Sequence, residues 1–157
     1  MVTDLFGLLL NDMGALLEIK DLHPDANNSC IVRFPSGVQI QLELDKSQEK
    51  LIFGCDIGEV PAGRYRANIF REALRSNGLP YPNSHRGIFA FSKKADHLIL
   101  FRTVLMKDLN AEKLVEELKP FEEKAAYWQE TVMQGGTPVV GHGSQVMQSG
   151  GMFGMRP

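Results

Sequence analysis

The chain has 157 residues, the length of one compact domain able to bury a core unaided. Its 17 basic and 19 acidic residues give a formal charge of −2, which argues against a nucleic-acid module with its usual basic excess. Cys30 and Cys55, the 2 cysteines, are too few for a disulfide framework and stand in no metal-ligand spacing, so a reducing compartment is the expected setting. The apolar run Leu5-Phe6-Gly7-Leu8-Leu9-Leu10 follows Asp4, where a signal peptide carries Lys or Arg. No stretch approaches the ~18 apolar residues of a membrane span. The expectation is a soluble, cytoplasmic protein that contacts neither membrane nor nucleic acid.

Residues 3–17 read as a helix with Thr3 as N-cap, because Leu5, Phe6, Leu9, Leu10, Met13, Leu16 and Leu17 share one side at helical spacing. Leu8 falls outside that stripe, either as a solitary surface leucine or as part of an apolar contact surface. A loop around Pro24 leads to three strands, 30–34, 38–44 and 51–57. The middle strand alternates apolar and polar residues throughout, the pattern of a half-buried antiparallel strand. A second helix spans 64–76, with Asn77-Gly78 expected to form a left-handed cap and Pro80 to block continuation. Strands follow at 88–91 and 97–105, apolar on both faces, so a second copy or a bound partner is expected to shield part of the sheet.

The third helix spans 110–132, with Leu114, Leu118, Phe121, Ala125, Trp128 and Val132 spaced as a narrow seam. Its other side carries Glu112, Lys113, Glu116, Glu117, Glu123 and Lys124. Pro120 predicts a bend or a division into two pieces. Residues 134–157 hold 7 glycines and no periodicity, and read as a flexible tail beyond a domain of residues 1–133. The fold class is α+β, in the order α-βββ-α-ββ-α with a mostly antiparallel sheet.

Motifs for catalysis are sparse. His23, His85 and His142 fall in loops or tail, His97 begins a strand, and no HxxxH or HExxH spacing occurs. Cys30 lies in an apolar strand, where a buried inert thiol is commoner than a nucleophile. Gly54-Cys55-Asp56-Ile57-Gly58 lacks the rest of any phosphate-binding pattern. Arg64, Arg66, Arg71 and Arg75 suit a solvated helix face or a grip on acidic groups. No catalytic residue, metal or cofactor is expected. Surplus apolar surface on such a frame points to protein binding, and exposed strand edges can accept an extended peptide.

Three segments carry a resemblance over residues 1–133. They are the first helix leading into Asp25-Ala26-Asn27-Asn28-Ser29-Cys30-Ile31-Val32, the helix end Leu74-Arg75-Ser76-Asn77-Gly78-Leu79-Pro80, and the hairpin 88–105 passing into Leu109-Asn110-Ala111-Glu112-Lys113-Leu114. In their order and spacing the chain resembles the class I type III secretion chaperones, the group of the Tir chaperone CesT and SycE-like proteins. The resemblance implies a homodimer, or a heterodimer with a related chaperone, that is not an enzyme. It implies binding of the unfolded N-terminal segments of secreted effector proteins and delivery to the export ATPase. It places the cargo surface at Leu8, Leu9, Ile31, Phe34, Leu51 and Phe53, and the dimer interface at Ile69, Phe70, Leu98, Leu100 and Phe101. The alternative within the family is a regulatory binder of a cytoplasmic secretion regulator or anti-activator. The mild charge and the long Gly/Met tail depart from the family pattern.

Overall fold

A computed structural model of the chain describes residues 4–80 and 86–140. The elements are α1 (Leu5–Leu17), β1 (Ser29–Arg33), β2 (Gln39–Leu44), β3 (Lys50–Glu59), α2 (Arg64–Asn77), β4 (Ile88–Ser92), β5 (His97–Leu105) and α3 (Ala111–Met133), with a 3-10 turn at Met106–Asp108 before α3. This is the α-βββ-α-ββ-α order expected. The strands form one antiparallel sheet in the order β1-β2-β3-β5-β4, so β1 and β4 are its edges.

Local chemistry sets the ends of these elements. Asp4 caps α1, its carboxylate accepting from the Gly7 N–H at 2.9 Å, while Thr3, the expected cap, lies outside the described residues. Asn110 caps α3 through the Lys113 N–H at 2.8 Å. In the β2–β3 hairpin the Asp45 carboxylate accepts from the Glu49 and Lys50 N–H groups at 3.1 and 3.0 Å. The Ser47 hydroxyl and these backbone donors hold the Asp45 carboxyl below its usual range.

Two helix expectations are corrected. Of the bend or division expected at Pro120, the division does not occur, and α3 runs unbroken from Ala111 to Met133. Proline removes one N–H, and the burial of Leu118 and Phe121 on either side outweighs a loss of about 3 kcal/mol. Nor is the end of α2 left-handed. Gly78 has φ −84°, and its N–H returns to Leu74 and Arg75 carbonyls. The Asn77 side chain is used elsewhere, as described below.

One face of the sheet makes the core. Register aligns Cys30 and Leu42, Leu42 and Phe53, Phe53 and Arg102, and Leu100 and Phe89 on that face. Beneath α1 and α3, Ile40, Leu42, Leu51, Phe53, Leu98 and Leu100 are fully buried. Phe121 sets its ring edge-on to Phe53, centroids 5.7 Å apart, and Phe89 lies 4.2 Å from the Trp128 ring. Gly87, at φ +108°, admits this packing: a Cβ there stands 2.9 Å from the Leu100 side chain. Arg102, also on this face, pairs with Glu117 of α3. Burial raises the Glu117 carboxyl, but Arg102 and Lys113 outweigh it and leave it below its ordinary value.

The α2 helix packs beside β4, with Ile69 and Ala73 buried and Phe70 edge-on to Phe91 at 4.8 Å. Past α3, residues 134–140 turn back onto the domain. The Tyr65 hydroxyl donates to the Gly136 carbonyl at 2.8 Å, and the Val139 N–H donates to the Tyr127 hydroxyl at 2.9 Å. The first part of the segment read as flexible is thus packed, and residues 141–157 lie outside the described residues.

Candidate protein-binding surfaces

Three surfaces emerge from this geometry. The first is the outer face and free edge of the sheet. Period-2 alternation puts Ile31, Ile52, Ile88, Ile99 and Phe101 opposite the core. No described helix covers them, and Ile31 remains 46% exposed. In β1 the bonds Phe34 N–H to Val38 and Leu44 N–H to Asn28, both 2.9 Å, show that even-numbered residues pair with β2. Odd-numbered residues therefore aim their peptide groups at the open edge. Asp25 occupies those of Ser29, through its backbone N–H at 2.8 Å and its carboxylate at 2.9 Å. Ile31 and Arg33 follow along the edge.

The second surface is the outer side of α1. At 100° per residue, Leu5, Leu8 and Leu16 share one side around Asp12. All three leucines are exposed, Leu8 by 52%. Leu8 thus lies on the exposed side of α1 with Leu5 and Leu16, and the core stripe of α1 narrows to Phe6, Leu9, Leu10 and Met13. Beside α1 opens a depression of about 880 Å³, where Leu5, Leu9 and Asp12 face Leu44, Glu49, Leu105 and Met106.

The third surface lies between α2 and β4. A groove of about 160 Å³ is lined by Phe70, Ala73, Leu74, Ala90 and Phe91, with Leu98 at its floor. Leu74 is 71% exposed. Arg66 braces this corner, its Nε donating to the Val60 carbonyl at 2.9 Å and its guanidinium standing 4.9 Å over the Phe91 ring.

The expected site residues divide accordingly. Among the cargo residues, Leu8 and Ile31 are exposed and Phe34 is half-buried. Leu51 and Phe53 are fully buried beneath α3 and offer no surface, while Leu9 is largely buried in the α1 stripe and lines the depression beside it. Among the dimer residues, Phe70 lines the α2–β4 groove, while Phe101 lies on the outer sheet face. Ile69 and Leu100 have no exposed surface, and Leu98 has almost none. Leu5, Leu74 and Asn77 carry parts of these surfaces that the sequence does not single out.

Reactive chemistry is muted. Burial pushes the Cys30 thiol up, and pushes Cys55 up to about 12, so neither favours the thiolate. The His97 Nδ1 meets the Asp56 carboxylate at 2.7 Å on the outer sheet face. His85 and His142 lie outside the described residues, which hold no group of three or more His, Cys, Asp or Glu placed to ligate a metal. No described helix is long and apolar enough to cross a membrane.

Fold and surfaces define a small α+β protein with exposed apolar patches and a free strand edge. Residues 8–129 match the model of the Tir chaperone protein (CesT) family, and the chain belongs to that family. Its fold is similar to the Yersinia pestis type III secretion chaperone SycH, solved in complex with a stable fragment of YscM2. That match has 18% identity and a TM-score of 0.58, covering 76% of this chain and 96% of that one. A chain of the ExsC–ExsE complex matches at 20% identity and a TM-score of 0.60, covering 82% and 96%. A chain of the heterodimeric ExoU–SpcU complex of Pseudomonas aeruginosa matches at 15% identity and a TM-score of 0.57, covering 79% and 94%. Comparison with curated proteins returns no match.

Proposed function

We propose that the protein is a cytoplasmic, homodimeric type III secretion chaperone that acts by binding. Its cargo is the extended N-terminal segment of a secreted effector, kept unfolded for delivery to the export ATPase. One observation carries the reading beyond family membership: the open β1 edge at Ile31 and Arg33 coincides with an exposed apolar side chain, Ile31. An unfolded segment that adds a strand there gains backbone hydrogen bonds from the edge and side-chain burial on the outer face. Ordering such a segment costs entropy, so a large wrapped surface is needed, and the α1 leucines with the adjoining depression extend it. The α2–β4 groove is assigned to the second copy.

Native mass spectrometry of the protein isolated from its own cells tests this. The expected species is two copies plus one secreted protein, and Ile31→Asp loses the secreted protein while the chaperone pair stays intact. A single copy without a protein partner refutes the proposal. A cytoplasmic regulator in place of a secreted protein selects the regulatory reading.

A further inference from the structure

We infer that Asn77 closes the β4 edge of the sheet to strand addition, leaving β1 as the acceptor edge. The last residue of α2, Asn77 lies beside β4, and its amide engages both peptide groups of one strand residue. The Phe89 N–H donates to Asn77 Oδ1 at 2.8 Å, and Asn77 Nδ2 donates to the Phe89 carbonyl at 3.0 Å. This is the pair of bonds that a neighbouring strand would make, supplied by one side chain. Only one orientation of the amide satisfies both groups.

The alternation of β4 gives the bonds their meaning. Phe89 pairs in register with Leu100, yet both of its peptide groups point away from β5. Phe91, two residues on, points to the same edge, and Gly87 precedes the strand at φ +108°. The Gly87 carbonyl accepts from buried Lys124 Nζ at 2.9 Å. Phe89 in the strand and Gly87 just before it are thus occupied from within the chain, one by α2 and one by α3. At β1 the loop residue Asp25 occupies only Ser29 and leaves Ile31 and Arg33 beyond it. Natural sheets blunt exposed edges because an unpaired strand templates association. Here Asn77 closes Phe89 of β4, whereas at β1 Asp25 closes only Ser29 at the strand's start, so a partner at the α2–β4 groove docks on side chains without extending the sheet.

The test needs no cargo and so stands apart from the cargo reading. Full-length Asn77→Leu keeps the side-chain volume and removes both bonds. Folded by circular dichroism, it is expected to exchange its Phe89 amide at least tenfold faster while the Ile88 and Ala90 amides, which face β5, keep their protection. In sedimentation velocity it forms species larger than wild type as concentration rises. Ala90→Lys places a charge on the same edge, and its own mass is the reference. The double variant N77L/A90K is expected to return to the mass of A90K. A folded N77L with wild-type exchange and mass overturns the inference, as does association that A90K does not reverse. If N77L does not fold, Asn77→Ser takes its place, and loss of fold in both makes Asn77 a stability residue only and equally overturns it.

Discussion

Lys124 shows what a single side chain can carry in this fold. It is 9% exposed, its ammonium donates to the Gly87 carbonyl, and it stands 4.9 Å over the Phe89 ring. Burial, with the Arg86 charge adding to it, pushes its pKa down from 10.5 to about 8. Between these values the unfolded chain holds a proton that the folded chain has released, so folding stability rises with pH across that window. Below it the cost of the buried charge is present in full. Urea unfolding at pH 7, 8.5 and 10 checks this: wild type gains stability relative to Lys124→Met from 8.5 to 10, and parallel profiles refute it. The sequence places Lys124 among the acidic and basic residues of the polar side of α3, because periodicity reports spacing and not the carbonyl that waits opposite. Asn77 is similar. An Asn-Gly pair at a helix end predicts a cap, and only the tertiary position of β4 reveals that the amide completes a strand edge.

At the level of elements, the two faces of the sheet have opposite roles. Phe53 sits in the core against Phe121, and Phe53→Ala is expected to cost about 3–5 kcal/mol in chemical denaturation. Ile31 lies on the outer face, and Ile31→Asp is expected to change stability by no more than about 0.5 kcal/mol. Equal costs would show that the outer face is also packed. The order of elements is legible in the sequence because helix stripes, turn residues and the alternation of β2 are local signals. The inward face of β3 is not. Leu51, Ile52, Phe53 and Cys55 are apolar on both sides of the strand, so period 2 does not tell core from surface. That ambiguity assigns Leu51 and Phe53 to the cargo surface when they belong beneath α3. β5 carries the same ambiguity for Leu100 and Phe101, one buried and the other outward.

For the whole molecule, the proposed pairing of two copies rests on the groove between α2 and β4. Its lining of a few side chains is only part of the surface that a stable pair buries, on the order of 800 Å² per partner. On that reading the contact extends along the exposed side of α2, which carries Leu74. Leu74→Glu puts a carboxylate at the centre of that surface. The site is exposed within one chain, so folding stability should move by no more than about 0.5 kcal/mol. In the proposed pair the same carboxylate is buried against the partner's copy of this patch, since a two-fold interface brings each patch onto itself. A carboxylate stripped of water in an apolar contact is costly, and that penalty falls on association alone. Sedimentation equilibrium is expected to give twice the chain mass for wild type and one chain mass for Leu74→Glu, with unchanged circular dichroism and melting temperature. A variant that remains paired would move the interface to the outer sheet face around Phe101, where it would compete with cargo for the same apolar surface.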